Sequence, residues 1–209
     1  MSKALEEVKK IEEAAIALRK ELEEKERENM IQLCSAQRGQ RIIGKSGRVY
    51  IVLKQMEAQE QTVVIVDDFM VEDVVFDEDT TNYAESSLKE RIERDILPVV
   101  EADFGVDNII EHEVDLVTVD MQREFGTCRC KVRPVTFDEA REFNDLLVKE
   151  DLPDWYWTCT PWSTKERGWG RSLTVVSPRG HVYDYFCDNY RGVRPVLYLK
   201  SNIFVSKGE

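Results

Sequence analysis

No stretch of this 209-residue chain approaches 18 uninterrupted apolar residues, which excludes a membrane-spanning helix as its organising element. The opening residues, Met1-Ser2-Lys3-Ala4-Leu5-Glu6-Glu7, lack the apolar core of a secretory signal and are not expected to be one. Cysteine is scarce and odd in number, five in all. Reduced thiols in a cytoplasmic setting are therefore expected, not a disulfide framework. Basic residues are outnumbered, 29 Lys and Arg against 41 Asp and Glu, for a formal charge of −12. That balance argues against direct nucleic-acid binding and against docking on an anionic membrane. What is present, 42% hydrophobic residues, suffices for one compact domain with an appendage and is too apolar for wholesale disorder.

The charge is unevenly spread. Residues 31–54 hold five basic and no acidic groups, whereas 57–120 hold 20 acidic groups against only Lys89, Arg91 and Arg94. The two flanking segments are near neutral, so the acidity belongs to the middle third. Asp67, Asp68, Glu72, Asp73, Asp77, Glu78 and Asp79 crowd one stretch of it. Two readings follow: a solvated face that aids solubility, or carboxylates imitating the charge density of a duplex toward a nucleic-acid-binding protein.

The first segment reads as a helix that Ser2 can cap. Ala4, Val8, Ile11, Ala15, Leu18 and Leu22 recur at alternating spacings of four and three, a heptad seam. A helix so polar elsewhere needs a surface to lie on. Val8, Ile11, Ala15, Leu18 and Leu22 are the candidate oligomerisation residues, with packing on the chain's own domain as the alternative.

Beyond residue 30 the period changes to two. Arg41-Ile42-Ile43 and Arg48–Leu53 read as a hairpin around Gly44-Lys45-Ser46-Gly47, and Thr62–Val66 as a third, central strand. Thr81 or Asn82 is expected to cap a helix carrying Leu88, Ile92 and Ile96 and stopping at Pro98. Strand-like text recurs at Val114–Thr118 and Cys128–Val132, and a helix is expected from Thr136 with Phe143, Leu146 and Leu147 inward. Ser172–Val176 and His181–Cys187 read as a hairpin, and Gly192–Leu199 as a final strand whose Pro195 suits an edge or a bulge.

Gly44-Lys45-Ser46 lacks the upstream glycine of a phosphate-binding loop, and the 77–82 loop lacks the glycine and terminal glutamate of a calcium loop. Cys128 and Cys130 share one strand face, and with Cys159, Cys187, His112 and His181 they miss the usual zinc-ligand spacing. His181 has no nucleophile tied to it by motif. No metal, cofactor or catalytic residue is expected. The candidate partner-binding residues lie at the end of the chain: Trp162, Arg167, Trp169, Arg171, Tyr190 and Arg191, in a segment that also holds Lys165, Tyr183, Tyr185 and Phe186. Trp, Tyr and Arg dominate interface hot spots. Tyr183 and Tyr185 either belong to that surface or fill the core beneath the sheet.

Tyr156-Trp157-Thr158-Cys159-Thr160-Pro161, a hairpin with a glycine turn, and Gly192-Val193-Arg194-Pro195-Val196-Leu197-Tyr198-Leu199 together resemble a widespread bacterial and phage domain of unknown function. Its pattern is Trp-Leu-Arg-Ser-Pro, a strand pair and Gly-Val-Arg-Pro-Ala-Leu-Trp-Leu. Ser87-Leu88-Lys89-Glu90-Arg91-Ile92 and Thr136-Phe137-Asp138-Glu139-Ala140 look like its two helix starts, so the match spans about 38–204. That family is similar to the C-type-lectin-like fold of formylglycine-generating enzymes and of the variable proteins of diversity-generating retroelements. The resemblance implies an α+β domain at 38–204 with a mixed sheet, preceded by the amphipathic helix at 1–32, and C-terminal loops that display a binding surface. Thr158-Cys159-Thr160-Pro161 departs from the pattern, and the loop after it is charged and aromatic, which implies a specialised surface.

The expected function is non-catalytic binding of a host or phage protein by a phage or mobile-element module in the bacterial cytoplasm. The alternative is an anti-CRISPR-style inhibitor of a defence nuclease acting by acidic mimicry; a formylglycine-generating oxidase is the third reading. If the seam pairs copies, light scattering at micromolar concentration will give a mass at least double the 24.3 kDa of one chain. A 24.3 kDa species would remove the coiled-coil expectation.

Overall fold

The structure is a computed structural model. It describes residues 3–208, and the side chains of these except 3–7, 22, 23 and 25–28. The helix spans Lys3–Glu28. The Ser2 cap and the placement of the Leu22 side chain lie outside the described residues. Val8, Ile11, Ala15 and Leu18 are all exposed, so the domain does not cover this part of the seam.

The domain is α+β, with mixed helix and sheet. Its larger sheet runs Met30–Gln32, Phe204–Lys207, Arg41–Ile43, Val49–Met56, Gln61–Val66, Pro195–Lys200 and Ile109–Ile110, with Val132–Pro134 also paired to Pro195–Lys200. Residues 30–32, read with the helix, are thus its edge strand, paired antiparallel to Phe204–Lys207. The hairpin at 41–53 and the central strand at 62–66 form as expected, with Ile43 opposite Val49 and Ile51 opposite Ile65.

Both faces of the larger sheet are covered, which is why its central strands read as continuous apolar runs. Tyr50, Val52, Val64 and Val66 face one core, shared with Leu88, Ile92, Ile96 and Val100. Ile51, Leu53, Val63 and Ile65 face the other, shared with Phe143 and Leu147. The helical run does not stop at Pro98. It passes from Ser87–Arg91 through a π-turn at Ile92–Ile96 into Leu97–Phe104. The wide turn resets the hydrogen-bond ladder, so Pro98 falls in the first turn of a new segment, where a missing N–H costs little. The caps are also shifted. Asn82 accepts from Ala84 N–H to open a short 3₁₀ turn, and Ser86 accepts from Lys89 N–H to cap the helix proper. Thr136 and Glu139 form a reciprocal capping box for Phe137–Glu142, as its sequence suggests.

The second sheet runs Val182–Phe186, Ser172–Val176, Tyr156–Pro161, Tyr190–Val193 and Val71–Val75. A separate pair joins His112–Asp115 to Thr127–Cys130. The final strand expected at 192–199 is two strands, one in each sheet, with Arg194 between them. Gly192 admits the Phe69 ring, which a Cβ would approach to 2.2 Å. Pro195 then opens a central strand, opposite Pro134, and so lies neither at an edge nor in a bulge. Being first in its strand is what spares it a ladder N–H.

Arg194 is wholly buried. Its Nε donates to Val66 O and its Nη1 to Leu147 O, both at 2.8 Å, and its guanidinium lies over the Tyr156 ring. Removing it strands two buried carbonyls at the junction of three elements. Arg194→Ala is expected to cost about 3–5 kcal/mol in chemical denaturation, and a cost below about 1 kcal/mol would show the crossing is held by packing alone.

Candidate functional site

The hairpin at 172–186 and its flanking loops place the aromatic residues. Tyr183, Phe186 and Tyr190 are exposed by 61%, 59% and 62%, and Trp169 and Tyr185 by 48% and 40%. Tyr183 and Tyr185 therefore do not fill the core. They lie on the face where their cross-strand partners Val175 and Leu173 are buried, but their strand is the outermost of its sheet and extends past that core. The buried ring at this junction is instead Trp157, whose Nε1 donates to Val74 O at 2.7 Å. Trp162 is half-buried, with its amide donating to Ser172 O.

The arginines organise this surface. Arg191 stacks its guanidinium on Tyr185, 3.9 Å from the ring centroid, and pairs with Asp154 at 3.2 Å. Arg171 donates to Asp188 and, across the fold, to Glu78 O at 3.0 Å. Arg167 reaches Asp120 at 3.2 Å, which also accepts from Ser163. Phe76 and Asp77 N–H both donate to Cys187 O. Glu78, Asp79, Arg171, Tyr190 and Arg191, distant in sequence, are thereby gathered around one loop junction.

The acidic candidates divide. Asp68, Glu78 and Asp79 are exposed. Asp67 is buried, with Lys149 Nζ at 3.2 Å, Arg41 Nη2 at 3.6 Å and Arg194 Nη2 at 3.8 Å. Three cations surround it, so it does not belong to a displayed acidic face. Asp77 closes its own loop, accepting from the backbone amides of Asp79, Thr80 and Ser87. Partial burial opposes ionisation there, but those amides hold the carboxyl below its ordinary value. Asp67 and Asp68 adjoin the Ser46–Val49 turn, apart from the gathered junction.

A second cluster escaped the sequence reading. Arg133, 2% exposed, donates through Nε to His112 Nε2 at 3.0 Å, through Nη1 to Pro134 O and Glu139, and through Nη2 to Glu139 at 2.6 Å. His112 stacks on Tyr198 with ring centroids 3.9 Å apart. Because its Nε2 accepts from a cation, the imidazole is neutral and carries its proton on Nδ1. Burial, then the Arg133 charge, pushes it down to about 4. Glu139 is held below its ordinary value by Arg133 against its own burial. The group borders an open pocket of about 420 Å³ lined by Thr136, Phe137, Arg141, Thr160 and Tyr198. Every Arg133 nitrogen is already engaged, so the cluster offers that pocket no free charge and is built to hold strands together. The signal for it was a repeated tripeptide: Val132-Arg133-Pro134 and Val193-Arg194-Pro195 each supply a buried arginine, and their strands pair.

Cys128 and Cys130 are buried on one face of their strand, as their spacing implies. Cys128 Sγ donates to Arg129 O at 3.7 Å; the neighbouring Cys130, with Lys89 nearby, brings the Cys128 thiol down to about 7, while Cys128 and burial push the Cys130 thiol up. Among the described residues no three His, Cys, Asp or Glu side chains are grouped to hold a metal ion, and no helix is long and apolar enough to cross a membrane. A scan of protein-family models, and searches of curated proteins and of solved structures, found no match to the chain.

His112 and Glu139 share a sign. Each has a folded-state value below its unfolded one, so their stabilisation is complete at neutral pH and is lost as pH falls. For His112 the window runs from its ordinary 6.5 down to about 4, a loss of roughly 3 kcal/mol. His112→Gln, which keeps an acceptor for Arg133, is expected to flatten the fall in urea midpoint between those limits. An unchanged pH slope would show that His112 is not the titrating group.

Proposed function

We propose that this chain is a non-catalytic protein-binding module of phage or mobile-element origin, working in the bacterial cytoplasm. In this reading a C-type-lectin-like α+β domain presents its C-terminal aromatic face to a host protein, and the N-terminal helix joins copies of the chain. The observation that carries the reading is the exposure of Trp169, Tyr183, Tyr185, Phe186 and Tyr190 on one small sheet and its loops. Rings this exposed leave much of their area outside the domain's core, and such residues form the centres of protein interfaces. Arg191 fixed on Tyr185 supports it further, because a side chain held in place loses less entropy on binding. The exposed Val8, Ile11 and Leu18 support the pairing of helices. The lectin-like architecture is supported by the α+β content and by the Gly-Val-Arg-Pro motif acting as the bridge between two sheets.

Acidic mimicry keeps a narrower footing, since Asp68, Glu78 and Asp79 are exposed while Asp67 and Asp77 are engaged within the fold.

Affinity capture from bacterial lysate, read by mass spectrometry, tests both readings. Trp169→Ala with Tyr190→Ala is expected to reduce the captured partner about tenfold or more, with an unchanged circular dichroism spectrum. Neutralising Asp68, Glu78 and Asp79 together is expected to leave capture intact. Retention by the aromatic variant, with loss in the neutralised one and a steep salt dependence, would overturn the aromatic reading in favour of mimicry.

A further inference from the structure

The sheet that carries the aromatic face ends in a strand with an open side. Val182–Phe186 pairs with Ser172–Val176 and with no other strand among the described residues. The bonds that bracket it fix where its backbone groups point. Ser177 N–H donates to His181 O before the strand, and Cys187 N–H donates to Arg171 O after it, each at 2.8 Å. Bonded positions alternate along an antiparallel ladder, so residues 181, 183, 185 and 187 face inward. The N–H and C=O groups of Val182 and Asp184, with the Phe186 N–H, therefore face out of the sheet.

Other edges of the two sheets are blunted. Val71–Val75 carries Glu72 and Asp73, has Asp73 at a φ of 51°, and shifts register against its neighbour. Met30–Gln32 and Ile109–Ile110 are three and two residues long. Val182–Phe186 is five residues long and carries the single charge of Asp184, but it lacks proline, lysine and any break in register. Pairing with a second copy is opposed, because an antiparallel match centred on this strand sets one Asp184 against the other. Asp184 has no ion-pair partner among the described residues, and Tyr183 and Tyr185 flank it on the opposite face.

We propose that Val182–Phe186 accepts an extended segment of the partner protein as an added antiparallel strand. Lys or Arg of that segment lies opposite Asp184, and apolar residues lie opposite Tyr183 and Tyr185. Main-chain bonds supply the affinity and alternate side chains the selection, as in other strand additions. The proposal rests on the protein-binding reading above and gives its partner a chemistry: an unpaired, apolar–basic–apolar stretch of chain.

Random 12-residue peptides displayed on phage, panned against the full-length protein, test it directly. Alternating apolar and basic residues are expected in the recovered peptides, which are then made synthetically and titrated by fluorescence anisotropy. Asp184→Pro removes an outward N–H and leaves the inner ladder untouched, and is expected to weaken binding about tenfold without changing the melting temperature. A measurement that leaves the protein unaltered is N-methylation of alternate peptide residues. Methyl groups in one phase are expected to abolish binding, and in the other phase to preserve it. Recovery of no peptide, or equal tolerance of both phases, overturns the strand addition. If the aromatic variant still loses its captured partner in that event, the protein-binding reading stands without it.

Discussion

The Arg194 guanidinium meets three parts of the chain at once: the end of a larger-sheet strand at Val66, the end of the short helix at Leu147 and the small-sheet ring of Tyr156. A fully buried cation is costly to desolvate and is tolerated only where acceptors are already in place. Its surroundings are therefore constrained in turn. Gly192 must lack a side chain so that Phe69 can approach, Pro195 must begin a strand, and Asp67 must lie within reach to balance the charge. The exposed aromatic face inherits its position from this crossing, because Tyr190 and Arg191 stand just before it on the strand that ends at Val193.

Arg133 repeats the device on the neighbouring strand, with Glu139 in place of Asp67 and a neutral imidazole in place of one carbonyl. The two Val-Arg-Pro segments meet at their prolines, Pro134 opposite Pro195, and Arg133 lies opposite Val196. Seen this way, the uneven charge of the sequence is partly resolved by folding. Asp67 from the acidic third meets Arg41 from the basic segment, and Asp103 receives Tyr50 and the amide of Ser46. What remains on the surface is less acidic near residues 67–77 than the linear count implies.

Much of the fold could be read in advance because it rests on local rules. The hairpin around Gly44–Gly47, the central strand at 62–66 and the capping box at Thr136 follow from periodicity and cap chemistry, and each formed as expected. The misreadings came where distant contacts override local ones. Pro98 ends a helix only if the ladder before it is regular, and the π-turn at Ile92–Ile96 is not. Gly192–Leu199 reads as one strand because nothing local shows that the chain changes sheets at Arg194. Among the candidate residues Trp169 is exposed and Trp162 half-buried, while the fates of Asp67 and Asp77 depend on cations and amides supplied from elsewhere. The Arg133 cluster was missed because its members are separated in sequence and each has an ordinary local role.

The strand Pro195–Lys200 lies at the centre of the larger sheet, yet Arg194 at its head bonds to a carbonyl 128 residues earlier. During synthesis the neighbouring strand Gln61–Val66 leaves the ribosome on the order of ten seconds before its partner arrives. In that interval the nascent chain carries an open apolar strand on each side of an empty place, and no partial sheet can close over it. Until then the larger sheet lacks the one strand that joins Gln61–Val66 to Ile109–Ile110 and Val132–Pro134.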